Sequence, residues 1–166
     1  MTALRSFSFC VAFVAMGCRP AAPPSLSEPQ RAAIADSVRG VLGELATWMS
    51  SQGAGRAFAT FFDSAPGVVQ AADGRITATS YDSIAARSRG WAPPAGARLT
   101  WDTAHVEVLG PGLAHFTGAF TESFTPPTGQ PFEGHGVMSG VAVRRPSGWK
   151  IAAVHTSVVP ASPPGR

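Results

Sequence analysis

The chain has 166 residues, of which 45% are hydrophobic, 9% aromatic and only 14% charged, with 18 Gly and 15 Pro. Such thin charge and so much apolar content exclude collagen-like, coiled-coil and charge-driven disordered chains, and leave room for one domain of ordinary size. Thirteen Lys+Arg against ten Asp+Glu give a net charge of +3, but the basic side chains stand singly, with no run longer than Arg144-Arg145, which argues against a nucleic-acid partner.

In chain order, the first element is an address. Arg5 and the amino terminus form a short positive region, Phe7 to Met16 is apolar apart from Ser8, and Gly17-Cys18 follows at once. The stretch is too short to span a bilayer and has the form of a secretory signal. Ala15-Met16-Gly17-Cys18 resembles the bacterial lipobox. That resemblance implies that residues 1–17 are a lipoprotein signal peptide and that Cys18 is acylated and becomes the new amino terminus. It also implies a membrane partner through the lipid on Cys18 and a location in the cell envelope on the periplasmic side; Arg19, in place of Asp, implies the outer membrane. Several acyl chains on one Cys anchor stably where a single chain does not. Cys10 would leave with the signal and Cys18 would be blocked, so no thiol remains for disulfide, zinc or nucleophile chemistry.

Proline then marks the domain. Pro20, Pro23 and Pro24 make residues 18–26 a tether, Pro163 and Pro164 make 161–166 a tail, and 27–160 is the expected globular part. Ser27-Glu28-Pro29-Gln30 has the form of a capping box, and the apolar series Ile34, Val38, Val41, Leu42, Leu45, Trp48 and Met49 predicts a helix with one buried stripe. A second short helix is expected over Gly55 to Phe62. Val68 to Ala72 and Arg75 to Ala78 form a hairpin about Asp73-Gly74, and Ser80 caps a third helix, Tyr81 to Arg89, closed by Gly90. From Arg98 the pattern becomes β, with four strands near 98–109, 113–124, 132–145 and 149–159 joined by Gly/Pro turns. Helices first and a long antiparallel meander second define an α+β domain whose helices cover one sheet face.

The turns set an expected register. Pro146-Ser147-Gly148 pairs Val143 with Ile151, Val141 with Ala153, Ser139 with His155 and Val137 with Ser157. Gly110-Pro111-Gly112 pairs Val108 with Ala114, Val106 with Phe116, Ala104 with Gly118 and Asp102 with Phe120, and Glu122 falls beside Glu133 or His135. On this reading Asp102, Glu122, His135, Ser139, His155 and Ser157 share the covered face with Phe116 and Phe120. Six polar groups among apolar neighbours point either to a wet, ligand-lined pocket or to a core in which they satisfy one another. Trp101 falls on the opposite, outer face, where a homodimer could bury it.

Gly148-Trp149-Lys150-Ile151, leading to His155-Thr156-Ser157, resembles the closing strand of the nuclear transport factor 2-like superfamily in its SnoaL-like branch. The order of helices, hairpin and meander fits the same resemblance over 27–160. It implies a cone in which a curved sheet wraps the helices around a cavity, and a dimer through the outer sheet face. It covers isomerases, cyclases, dehydratases, ligand binders and interaction modules, so the fold leaves function open. Trp149, Ile151, His155 and Ser157 take the motif positions, whereas the steroid isomerases' Tyr and two Asp have no counterpart, since Tyr81 is the sole Tyr and lies on the third helix.

Two functions follow from these residues. The first is an envelope lipoprotein whose cone binds a small apolar ligand or scaffolds a partner, with Phe116 and Phe120 as wall and His135, His155 and Glu122 as polar handles. The second is an enzyme in which Glu122 or Asp102 abstracts a proton beside a carbonyl and His135 or His155 polarises the oxygen. No cofactor is implied: no local metal motif such as His-Glu-x-x-His occurs, and Gly134-His135-Gly136 lacks the strand-to-helix setting of a nucleotide loop.

Overall fold

The backbone N–H of Ser27 donates to Gln30 Oε1 at 2.9 Å, and this capping box opens α1 (Glu28–Ser51) in the computed structural model, which describes residues 25–89 and 92–161. The signal sequence, Cys18, most of the tether, Gly90 and the tail beyond Ala161 lie outside the described residues. The predicted stripe is the buried one: Val38, Leu42 and Leu45 are almost fully covered, and Ile34, Val41, Trp48 and Met49 pack beside them. Gly53, at φ 84°, breaks the chain into α2 (Ala54–Phe61).

The hairpin forms as expected from β1 (Val69–Ala72) and β2 (Arg75–Ala78). Its two turn residues, Asp73 at φ 47° and Gly74 at φ 79°, are both left-handed, as a two-residue hairpin turn with the right twist requires. Ser80 accepts from Ser83 N–H and starts α3 (Tyr81–Ser88). The remaining strands are β3 (Ala95–Trp101), β4 (His105–Gly110), β5 (Leu113–Thr125), β6 (Phe132–Arg145) and β7 (Gly148–Pro160).

All seven strands join one sheet in the order β2-β1-β7-β6-β5-β3, with β4 also beside β5. β1 lies parallel to β7 while the meander is antiparallel, so the sheet is mixed. The helices cover one face, and the core between the layers holds Val38, Leu42, Ile84, Phe116, Phe120 and Ile151. The domain is α+β.

Two single-residue insertions decide which side chains face that core. The first splits the expected strand 98–109. Trp101 pairs with Phe120 and His105 with Thr117, so three residues on one side stand against two on the other, and the N–H groups of Asp102 and Thr103 both donate to the Ala119 carbonyl. Because faces alternate with period two, one extra residue exchanges them. Trp101, expected outside, is therefore inside, where its indole N–H donates to the Leu42 carbonyl at 2.8 Å and its ring meets Phe120 edge-to-face at 5.9 Å. The second insertion is Ala152: Ala142 pairs with Ile151 but Val141 with Ala153. Val143 consequently pairs with Lys150 rather than Ile151.

Side chains of α1 reach the free edge of β3 and β4. Arg31 donates to the Val108 carbonyl at 2.8 Å, Arg39 to that of Ala104 at 3.3 Å, and Ser50 Oγ accepts from Leu99 N–H at 2.9 Å.

Candidate functional site

The covered face of β5 presents Phe116, Phe120 and Glu122, as its alternation predicts. Opposite Phe116 stands Gly140, and opposite Phe120 stands Gly136. A methyl group at Gly140 would overlap the Phe116 ring and the Ala153 carbonyl, and one at Gly136 would overlap the Phe120 ring. The glycines are thus seats for rings lying across β6. Phe116 and Phe120 are essentially inaccessible to solvent. Phe116 sits in solid core, while Phe120 borders a cavity of about 190 Å³ between the sheet and the helices.

The cavity wall is mainly apolar: Leu45 and Met49 from α1, Phe58 and Phe62 from α2 and its end, Trp101 and Phe120 from the sheet. Phe58 and Phe62 stack edge-to-face at 4.9 Å. Gln70, Arg87, Glu122 and Thr156 supply its polar groups. Arg87 is committed in part, since its guanidinium donates to the Thr77 carbonyl at 3.1 Å. A second hollow of about 70 Å³ lies alongside, and Met49, Leu99 and Glu122 border both.

Among the described residues Glu122 is the one carboxylate in this wall. Among the described residues no ion pair or hydrogen bond reaches it. Burial pushes its pKa above the ordinary carboxylate value, and the negative charge of Asp73 pushes it further the same way. Asp73 is held in the β1–β2 turn, where its Oδ1 accepts from Val158 N–H at 3.2 Å. A second acid, Asp63, is more deeply buried and differs in every respect: Arg145 donates to both its oxygens, with Nε at 3.1 Å from each, and this pairing holds its pKa below the usual value. The pair ties the end of α2 to the end of β6, while the Asp63 backbone N–H donates to the Ile151 carbonyl of β7; Asp63 is not a free group.

The other expected pocket residues are placed elsewhere. Ser139 does pair with His155, and Val137 with Ser157, but on the outer face of the sheet. His135 stands outside beside Thr121, not inside beside Glu122, whose partner is Gly134. Asp102 is outside as well, and there it meets His135 through one side chain: the Thr121 hydroxyl donates to Asp102 Oδ2 at 3.1 Å and lies 3.2 Å from His135 Nδ1. All four histidines, His105, His115, His135 and His155, share this outer face. Among the described residues no group of three His, Cys, Asp or Glu is arranged to hold a metal ion.

The sequence reading missed Trp101, Gln70, Arg87 and Thr156 as wall residues. Thr156 lies between His155 and Ser157, and the bulge at Ala152 is what turns it inward. For Trp101 a signal existed: a large aromatic beside Asp102-Thr103 is a poor candidate for the wet face, since its ring area gains most when buried.

No protein-family model and no curated protein matches this sequence. Solved structures do. A nuclear transport factor 2-like superfamily protein from Salmonella enterica Typhimurium superposes with a TM-score of 0.65 at 15% identity, over 81% of this chain and 95% of that one. A hexachlorocyclohexane dehydrochlorinase from Novosphingobium barchaimii gives 0.64 at 12% identity, over 83% and 100%. The association domain of CaMKII from C. elegans gives 0.64 at 14%, over 78% and 99%. At such identities the likeness establishes the fold: a nuclear transport factor 2-like cone. One of these neighbours is named for an enzyme and another for an association domain, so function has to be argued from this chain's own residues.

Proposed function

We propose that this chain is an envelope lipoprotein whose cone domain binds a small, largely apolar molecule. The observation that carries the binding is the 190 Å³ cavity, walled by aromatic and aliphatic side chains with few polar groups. Ligand sites have this composition, an apolar wall for affinity and few polar groups for orientation. An apolar cavity of about 150 Å³ is enough to take up benzene. Of the wall expected from sequence Phe120 borders the cavity, and of the polar handles Glu122 does, while His135 and His155 are outside it. An enzymatic reading would keep Glu122 as base but would lack a histidine to polarise the substrate oxygen.

Toluene tests the binding. Ligand-observed NMR should show saturation transfer to it in the wild type and none in Met49→Trp, whose indole fills the cavity from α1. Equal transfer to both proteins would reject the assignment. The anchor rests on Ala15-Met16-Gly17-Cys18 and is tested separately: labelled palmitate should enter the wild type and not Cys18→Ala, which should leave the membrane fraction.

A second copy of the chain is the partner proposed for the outer face. Val137 and Val159 are 48% and 70% exposed on adjacent strands there, and burying such a patch favours association. Light scattering should give a dimer that Val137→Arg converts to a monomer; a wild-type monomer would end that reading. Trp101, expected from sequence at such an interface, belongs to the interior instead.

A further inference from the structure

We infer that the molecule held in the cone is a small monovalent organic cation, an alkyl- or aryl-ammonium compound whose charge pairs with Glu122 and rests against the surrounding rings. The inference rests on the cavity assignment above and adds to it the chemical class of the ligand.

The argument is one of charge complementarity. Glu122 borders both hollows, and among the described residues no cationic partner lies within ion-pair distance of it. A half-buried carboxylate left alone is costly, and a ligand that supplies the missing positive charge recovers part of that cost. The charged groups of the neighbouring elements do not supply it. Arg87 of α3 also borders the larger hollow and keeps its charge, but its guanidinium donates to the Thr77 carbonyl and makes no ion pair with Glu122. Arg98 of β3 borders the smaller hollow and is itself exposed. The charge felt at Glu122 comes from Asp73, in the β1–β2 turn, and it is negative. Among the described residues Glu122 is thus the one acid lining this small apolar space, and no ion pair reaches it.

The wall suits the same ligand. Two edge-to-face ring pairs border it, Trp101 with Phe120 and Phe58 with Phe62. Aromatic faces carry negative potential and attract ammonium groups, most strongly where water is excluded. A neutral apolar molecule would use the rings and leave Glu122 unpaired. An anion would meet the Glu122 carboxylate and leave it unpaired. A cation with an apolar body uses both features, and the volume limits it to about the size of a substituted benzene.

The test compares three probes of similar size on the full chain by isothermal titration calorimetry: phenyltrimethylammonium, its uncharged isostere tert-butylbenzene, and benzoate. The expected order of affinity is cation, then neutral isostere, then anion. Glu122→Gln, which keeps the shape of the side chain, should weaken the cation about tenfold or more while leaving tert-butylbenzene unchanged or tighter. Asp73→Asn, which retains the acceptor for Val158 N–H, should weaken the cation by a smaller factor. Binding of tert-butylbenzene as tight as that of the cation, or cation affinity unaltered in Glu122→Gln, would overturn the inference and leave the cavity assignment standing. Failure of all three probes to bind the wild type would remove both. Retained tert-butylbenzene binding by Glu122→Gln shows that the variant is folded.

Discussion

The two faces of the central sheet are built from the same three strands, yet they follow opposite rules. Inside, β5 sends Phe116 and Phe120 against Gly140 and Gly136, and the space a side chain would need is taken by a ring. Outside, the same strands show Val137, Ser139, Val141, His135, His155 and Ser157, side chains that lie under none of the chain's own helices. Along β6 the outer side carries three valines, Val137, Val141 and Val143, where the core side carries Gly136, Gly140 and Ala142. The difference teaches that burial here is set by what the neighbouring strand contributes, and hydropathy along one strand is a poor guide to it.

The contrast can be broken most forcefully from within. Phe120→Ala should cost about 3–5 kcal/mol in urea unfolding, because a ring seated on glycine leaves a hole nothing can fill. Val137→Ala, on the face turned away from the core rings, should cost less than about 1 kcal/mol. Comparable losses from the two would show that the faces are not distinct.

The ion pair at the edge of the core comes next. Arg145→Met leaves Asp63 buried at 5% exposure with its main partner gone, and should lower stability at pH 7 by less than Phe120→Ala does. The folded pKa of Asp63 is depressed, so its contribution is present above the unfolded carboxylate value and is lost as pH falls through the folded one. Wild type and Arg145→Met should converge in stability in strong acid. A gap that persists there would assign the loss to packing instead.

A smaller effect of opposite sign is expected at Glu122. Its folded pKa is raised, so ionisation opposes folding, with no penalty below the unfolded value of about 4.5 and a growing one as pH rises through the folded value. Glu122→Gln should melt slightly above wild type at pH 7, and the advantage should vanish below pH of about 4. Melting curves with no pH-dependent difference would show the carboxylate to be solvated. Smallest of all, His155→Ala on the outer face should change stability by no more than about 0.5 kcal/mol, and a loss above about 2 kcal/mol would mean that the face is packed against something.

Much of this architecture is written locally. Ser27 with Gln30, Ser80, and the Asp73-Gly74 turn each announce an element through chemistry confined to a few residues, and each forms where expected. The turns also fix which strands meet, so Ser139 and His155 are correctly matched. What local pattern does not reveal is parity. One additional residue among Asp102, Thr103 and Ala104, and another at Ala152, exchange the faces of β3 and of most of β7. Neither site carries a sequence mark, since bulges there involve ordinary residues. The glycines of β6 deepened the ambiguity by leaving its valines to advertise the wrong side. Phe116, Phe120 and Glu122 escaped the error because β5 runs unbroken through the middle of the sheet.

The contacts that α1 makes with β3 and β4 bear on how copies of this protein tolerate one another. A sheet border with idle carbonyls and amides invites a neighbouring chain to add itself as the next strand. Here Arg31 and Arg39 occupy carbonyls of that border and Ser50 occupies an amide, while the opposite border is the four-residue β2, which begins with Arg75. For molecules tethered side by side on one bilayer, as proposed, local crowding is high and such self-templating would be fast. The helix that roofs the cavity thereby also keeps the sheet from growing.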